Sequence, residues 1–281
     1  MKTLYVSDLD GTLLTSDKRI SPKSMDILNR LIGQGLMFSL ATARGLSSVE
    51  YMAKGLDLKL PLIVMNGVFV YDPVKRVNVS ANFLPSDTAE DIIEIFSRFG
   101  FSPWVYTVNS EGVEKVFYRN LENECQELFL EERLMMGDKR YTRVDKYPDL
   151  SNLKITHLYS MALKKDLDPL YDVLKDLDDS FINYYEDVYQ KEYYLIEIMN
   201  KKATKKNGLI FLKEYLKTGR VVCFGDNLND IPMFEAADEC YAVANAHSAL
   251  IDMAEGVIGS NNEDGVARFI EQNFYSGLSQ T

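Results

Sequence analysis

The two ends of the chain are written in one grammar: a short apolar run, a polar turn, then an amphipathic stretch. Near the start, Thr3 to Val6 reads as a strand, LMFSLA (36–41) as a second and PLIVM (61–65) as a third. Between the first two, Ser21 and Pro22 supply an N-cap and a first-turn proline. Met25, Leu28, Leu31 and Ile32 then make an apolar stripe that Gly33 and Gly35 end. Near the finish, RVVCF (220–224) reads as a strand, NDIPMFEAA (229–237) as a helix, CYAVA (240–244) as a strand and DGVARFIEQNF (264–274) as a closing helix. Such alternation predicts a βαβ array around a parallel sheet.

From about residue 83 to 197 the texture changes to aromatic-rich runs such as FSPWVYTVN, EKVFYRN, ITHLYSMAL and FINYYEDVYQKEYYLIEI. Helical segments such as SDTAEDIIEIFSRF and DLDPLYDVLKDL separate them. The expectation is α/β: a parallel-sheet core made of 1–82 and 198–281, interrupted by an α+β insertion over 83–197. A length of 281 residues suits one large domain or two smaller ones.

In an open parallel sheet, ligands gather at the carboxyl ends of the strands. Asp8 follows TLYVS, Thr42 follows LMFSLA, Asn66 follows PLIVM and Asp226 follows RVVCFG, so residues far apart in sequence would converge on one crevice. Asp8 and Asp10 form a pair in which one carboxylate can attack phosphorus and the other can move a proton. Side chains two apart on a strand share a face, which would bring both to one substrate. Taken alone, DLDG also fits an ordinary Asp-Gly turn.

Two carboxylates and a phosphate cannot be crowded together without a cation. A Mg²⁺ shell of Asp8, a carbonyl near Asp10, and Asp226 would meet that requirement, with Asn229 or Asp230 reaching phosphate or steadying the loop. DNLND is also a good helix start. Thr42 in ATAR can donate to a phosphoryl oxygen, and Arg44 is close enough in sequence to add charge. A lysine from NKKATKK (200–206) would balance Asp8, although the physics of the sequence does not choose among Lys201, Lys202, Lys205 and Lys206. The stretch also reads as a solvated lysine-rich loop.

Other classes are disfavoured. The formal charge of −11 opposes binding to nucleic acid or anionic membranes. No stretch of about 18 apolar residues predicts a membrane span, and no signal peptide is expected. Cys125, Cys223 and Cys240 are odd in number and lack Cys-x-x-Cys spacing, so a reducing, cytoplasmic setting is the simplest expectation. His157 and His247 lack ligand spacing, and neither nucleotide-binding glycine signature is present.

In order, DLDGTLL, ATAR, KATKKNGL and GDNLND resemble the four motifs of the haloacid dehalogenase superfamily of phosphatases. VMNG, ANAHSAL and NNEDGVARFIE resemble its Cof-like branch, whose members carry a large α+β cap after the second motif. The resemblance implies a Rossmann-like core with a mobile cap and a cytoplasmic, Mg²⁺-dependent hydrolase of small phosphomonoesters, sugar phosphates foremost. It implies Asp8 as nucleophile, Asp10 as general acid/base, and Asp8, Asp10 and Asp226 at the metal. Phosphate would be held by Leu9, Thr42, Ala43, Lys205 and Asn229, with Arg44, Asn66 and Asp230 in support. Ala43 and Lys206 stand where the family often has glycine. A phosphomutase or phosphotransferase is the alternative enzyme, and a phosphorylatable receiver-like module the alternative class. The large insertion and Asp10 oppose the latter.

Overall fold

The computed structural model describes residues 2–109, 113–187 and 190–278. It divides into two compact units, Met1–Ala81 with Ala203–Thr281, and Asn82–Lys202. The insertion is therefore slightly longer than the 83–197 read from sequence, because its last strand continues to Asn200.

The first core segment holds β1 (Thr3–Ser7), α1 (Pro22–Gly33), β2 (Met37–Leu40), α2 (Leu46–Met52), β3 (Leu62–Val64), β4 (Phe69–Asp72) and β5 (Val77–Ala81). The second unit contributes α3 (Ser86–Arg98), β6 (Trp104–Val108), β7 (Glu114–Tyr118), α4 (Glu124–Met135), β8 (Tyr141–Arg143), β9 (Lys154–Leu163), α5 (Lys164–Leu174), β10 (Ser180–Glu186) and β11 (Tyr193–Asn200). The core resumes with α6 (Lys205–Tyr215), β12 (Arg220–Gly225), α7 (Ile231–Phe234), β13 (Glu239–Val243), α8 (Ser248–Ile251), β14 (Gly256–Ile258) and α9 (Gly265–Leu278).

The core sheet has the order β14-β13-β12-β1-β2 and is parallel throughout. Its central strands are buried on both faces, which explains their unbroken apolar runs. β1 carries Leu4 and Val6 into a core shared with Val221, Cys223, Leu209 and Met233. The helix start predicted at Ser21 is present, its hydroxyl accepting from the Ser24 amide at 2.9 Å.

Two elements differ from their sequence reading. PLIVM supplies β3, but this strand pairs antiparallel with β4, in a sheet of order β3-β4-β5, and meets the β2 end only through a parallel bridge between Ala41 and Ile63. NDIPMFEAA is not one helix: a single 3₁₀ turn, Leu228–Asp230, precedes the four-residue α7.

The second unit is a six-stranded sheet of order β10-β11-β9-β6-β7-β8, antiparallel except for β7 with β8. One face is packed by α3 and α5 around Phe96, Leu158, Leu170 and Ile196. On the other, α4 lays Cys125 and Leu130 against Trp104, Val116 and Met161. Among the described residues no helix is long and apolar enough to cross a membrane.

Candidate active site

β1 and β12 lie side by side, and the Asp8 amide donates to the Phe224 carbonyl at 2.9 Å just beyond the last strand residue. This pairing sets Asp8 and the Gly225-Asp226 turn at the same sheet edge. Asp8 is buried, as are Thr42, Lys205 and Asp230. The carboxylate oxygens of Asp8, Asp226 and Asp230 lie within 4.8 Å of one another, a grouping able to hold a metal ion.

Lys205 occupies the first turn of α6, whose start is fixed by Thr204, with its hydroxyl accepting from the Asn207 amide at 3.1 Å. The solvated-loop reading of NKKATKK fails at this residue. Lys205 is only 1% exposed, and its Nζ donates to Asp8 Oδ1 at 2.5 Å and to Asp230 Oδ1 at 2.7 Å. Lys206 instead pairs with Glu235 and Lys201 with Asp179, both at the surface. Asp230 Oδ2 accepts from the Asp226 and Asn227 amides at 3.0 and 3.2 Å, so this side chain ties the Asp226 turn to the lysine.

Asp226 is oriented by Thr12, which donates to Oδ1 at 3.1 Å. Gly11, at φ +73°, leaves the space: a Cβ there would lie 2.3 Å from Asp226 Oδ2. Asn245 secures the same turn by donating to the Gly11 carbonyl at 2.8 Å. The sequence alone assigns no role to Thr12, which follows the Asp8–Asp10 pair, or to Asn245, although each lies inside a stretch that carries the resemblance. Asp8 Oδ2 is buried and has no hydrogen-bond partner among the described residues.

Asp8 and Asp10 do not share a strand face. The strand ends at Ser7 and the chain turns through Leu9–Leu13, which separates their environments. Both oxygens of Asp10 are taken by Arg44, from Nε at 2.6 Å and from Nη2 at 2.6 Å, a bidentate pair. Arg44 Nη1 also donates to Ser48 at 3.1 Å. The Thr42 hydroxyl accepts from the Arg44 amide at 3.1 Å.

Asn66 sits in the left-handed region at φ +52°, its amide donating to the Thr42 carbonyl, while the Met65 amide donates to the Arg44 carbonyl. These bonds join the two loops. Gly67 follows at φ +97°, where a Cβ would lie 2.4 Å from the Thr204 carbonyl. Gly67→Ala is therefore expected to destabilise by about 1–3 kcal/mol and to disturb the start of α6; thermal melting together with turnover checks both. Leu9 is wholly buried, whereas Ala43 and Asn229 are exposed. Leu9 and Ala43 offer only backbone to a ligand.

Among the protein groups alone, burial pushes the Asp8 pKa up to about 8, against the pull of Lys205 and with reinforcement from Asp230 and Asp226. Burial first, then Asp230, pushes Asp226 up to about 6, against the Thr12 hydrogen bond. Asp230 and Asp8 hold the Lys205 ammonium above its ordinary range despite its burial. Three carboxylates against one ammonium leave a surplus of negative charge when all are ionised.

A family model described as haloacid dehalogenase-like hydrolase matches residues 5–270. The 5-amino-6-(5-phospho-D-ribitylamino)uracil phosphatase YitU of Bacillus subtilis is 27% identical over 96% of this chain and 97% of its own. The pyridoxal phosphate phosphatase YbhA of Escherichia coli is 27% identical over 94% and 95%. The solved structure of TM0651 from Thermotoga maritima is 26% identical, with a TM-score of 0.74 over 97% of each chain. The motifs that carried the resemblance are thus embedded in full-length likeness, and the chain belongs to the haloacid dehalogenase-like hydrolases as a phosphatase, a phosphoric monoester hydrolase.

Proposed function

We propose that the protein is a Mg²⁺-dependent phosphatase of small phosphomonoesters, sugar phosphates and phosphorylated cofactors being the substrate class, and that it works through an aspartyl-phosphate on Asp8. The observation that carries this reading is the buried Asp8 carboxylate, held on one oxygen by Lys205 and, among the described residues, unpartnered on the other. Such a group is costly unless a ligand completes its surroundings. The names of YitU and YbhA support small phosphorylated substrates.

The donor set fits a hard cation. Every candidate ligand is oxygen, Asp8 Oδ2 is unpartnered among the described residues, and Asp8 and Asp226 converge. Asp230 spends both oxygens on Lys205 and backbone amides, so its role is to steady the turn. Asp8, the Asp10 carbonyl and Asp226 would hold Mg²⁺, which when bound offsets the charge of carboxylates and phosphate in one pocket.

In the reaction, Asp8 attacks phosphorus as the bond to the ester oxygen breaks, and Asp10 protonates that oxygen. Asp10 then takes a proton from water, which attacks the aspartyl-phosphate, releases phosphate and restores Asp8. Lys205 carries positive charge to the phosphoryl oxygens, with Thr42, Asn229 and the Leu9 and Ala43 amides completing the phosphate cradle. The 82–202 unit serves as the cap that selects the leaving group.

Arg44 holds Asp10 in place through two hydrogen bonds. Arg44→Lys, which cannot reproduce the fork, is expected to slow hydrolysis of alkyl phosphates by about 10- to 100-fold and that of p-nitrophenyl phosphate far less. Equal loss on both substrates would contradict the positioning role.

Metal dependence should follow pH. The raised pKa values mean that Asp8 and Asp226 favour folding below their unfolded value near 4 and lose that contribution as pH rises through about 6 for Asp226 and about 8 for Asp8. Cation binding requires the ionised forms. The gain in melting temperature at fixed Mg²⁺ should therefore grow from pH 5 to pH 8, and chelator should abolish turnover reversibly. A gain that falls with pH, or full activity in metal-free protein, would sink the cation assignment.

The carrying experiment is phosphate release by the purified chain from a panel of sugar and cofactor monophosphates, with and without Mg²⁺. Metal-dependent multiple turnover is expected; transfer to an added sugar in place of water would instead identify a phosphotransferase.

A further inference from the structure

Two stretches near the end of the chain, ANAHSAL and NNEDGVARFIE, supply none of the reacting groups, yet both close on the turn that follows Asp8. Asn245 donates from Nδ2 to the Gly11 carbonyl at 2.8 Å, and its Oδ1 accepts from the Asn261 amide at 3.0 Å. Asn261 is buried and donates from Nδ2 to the Leu14 carbonyl at 2.9 Å. Two residues beyond Asn245, the His247 amide donates to the Asp226 carbonyl at 2.7 Å. The segment 245–247 therefore holds the Gly11 turn and the Asp226 turn at once.

The loop that presents Asn261 is tightly built. Ser260 and Glu263 form a capping box, and Gly259 and Gly265 approach so closely that a Cβ on Gly265 would lie 1.8 Å from the Gly259 carbonyl oxygen. Asp264 accepts from the Ser21 and Ser24 hydroxyls, and Asn262 exchanges hydrogen bonds of 3.0 and 2.9 Å with Ser16. The Gly11 turn has no such stiffness of its own. Asp10 at φ −79°, ψ 123° and Gly11 at φ 73°, ψ −5° have the angles of the central pair of a type II turn. Glycine adopts other angles at little steric cost. The placement of the Asp10 carbonyl on one side of Gly11, and of the Thr12 hydroxyl on the other, thus depends on bonds made to the turn from outside.

We infer that Asn245 and Asn261 are positioning residues: as a relay they carry the order of the 259–265 loop to the Gly11 turn, and so hold the Asp10 carbonyl and Thr12 in the arrangement that receives Mg²⁺ beside Asp226. A side-chain amide suits this task, because one planar group donates to a backbone carbonyl and accepts from a backbone amide. A carboxylate at position 245 would lack the donor, and an ammonium would lack the acceptor and repel the cation. The inference rests on the reading of Asp8, the Asp10 carbonyl and Asp226 as the cation's ligands, and all of its residues belong to the first unit.

The test is Mg²⁺ binding by the full chain without substrate, read as the rise in melting temperature along a Mg²⁺ titration. Asn245→Ala, at an exposed position, should raise the Mg²⁺ concentration needed for a given rise by about 10- to 100-fold. Melting of the metal-free chain should stay close to that of the parent. Asn261→Ala should weaken Mg²⁺ binding in the same direction, and the double variant should be no weaker than the weaker single one, because both act through one relay. Asn262→Ala loosens the same loop only at Ser16 and should leave Mg²⁺ binding unchanged. Unchanged binding in Asn245→Ala, equal weakening in Asn262→Ala, or effects that multiply in the double variant would overturn the inference. If the parent chain itself showed no rise with Mg²⁺, the cation reading would fail, and deuterium exchange in the metal-free chain would decide the relay. The Leu14 amide closes the turn on the Leu9 carbonyl at 2.8 Å, and its exchange should quicken in Asn245→Ala. Exchange equal to the parent's would overturn the positioning role as well.

Discussion

Asp8→Asn is expected to lower kcat by a factor on the order of 10⁴ or more, the scale on which an enzyme loses its nucleophile. The substitution keeps the shape of the side chain and removes its charge. Burial already favours an uncharged group at this position, opposed mainly by the Lys205 ammonium. The amide oxygen can still accept from Lys205, and Asp230 continues to balance the lysine. Thermal stability should therefore change by no more than about 1–2 kcal/mol. Phosphate release at saturating Mg²⁺, with melting curves on the same samples, separates the two effects. A kcat within tenfold of the parent would remove Asp8 from the nucleophile position, whereas a collapse of both readouts would assign it to structure.

The positions most readable in the sequence were those fixed by backbone topology. Strands buried on both faces must be apolar throughout, so β1, β2, β12 and β13 show themselves, and with them the polar residues at their carboxyl ends. Asp8, Thr42 and Asp226 follow from that alone. The β4–β5 hairpin did not stand out, because β5 is largely exposed and lacks such a run. α4 escaped for a related reason: it buries Cys125, Gln126 and Leu130 yet exposes Leu128, Leu134 and Met135, which blurs its apolar stripe.

What remained hidden was side-chain pairing across the fold. The choice of Lys205 needed the family resemblance, since four lysines within six positions look alike until α6 buries one of them. Asp230 read as a loop residue, and only the folded chain shows it gripping Lys205 with one oxygen and the Asp226 turn with the other. The spacing of Asp8 and Asp10 suggested a common strand face, but the turn at Leu9–Leu13 gives one carboxylate to Lys205 and the other to Arg44. Local periodicity holds only while the local structure persists.

The Asp8–Lys205–Asp230 cluster leads to the second large effect. Lys205→Met keeps roughly the length of the side chain and leaves two carboxylates buried without their shared cation. Removing one partner from a buried ion pair costs about 3–5 kcal/mol, and loss of a charge aimed at the phosphoryl group should reduce kcat by about 10² or more. The stability loss should be larger at pH 8 than at pH 5, because Asp8, whose pKa burial pushes up to about 8, takes up a proton at the lower pH and its repulsion with Asp230 is relieved. Lys205→Arg is not expected to restore activity, since a planar fork cannot occupy a space shaped for an ammonium between two carboxylates. Combining Lys205→Met with Asp230→Asn supplies the decisive comparison. The pair should recover much of the stability, by removing one of the unbalanced charges, while the rate stays low. Recovery of both would make Lys205 a structural counter-ion, and recovery of stability alone would separate its structural work from its action on phosphate.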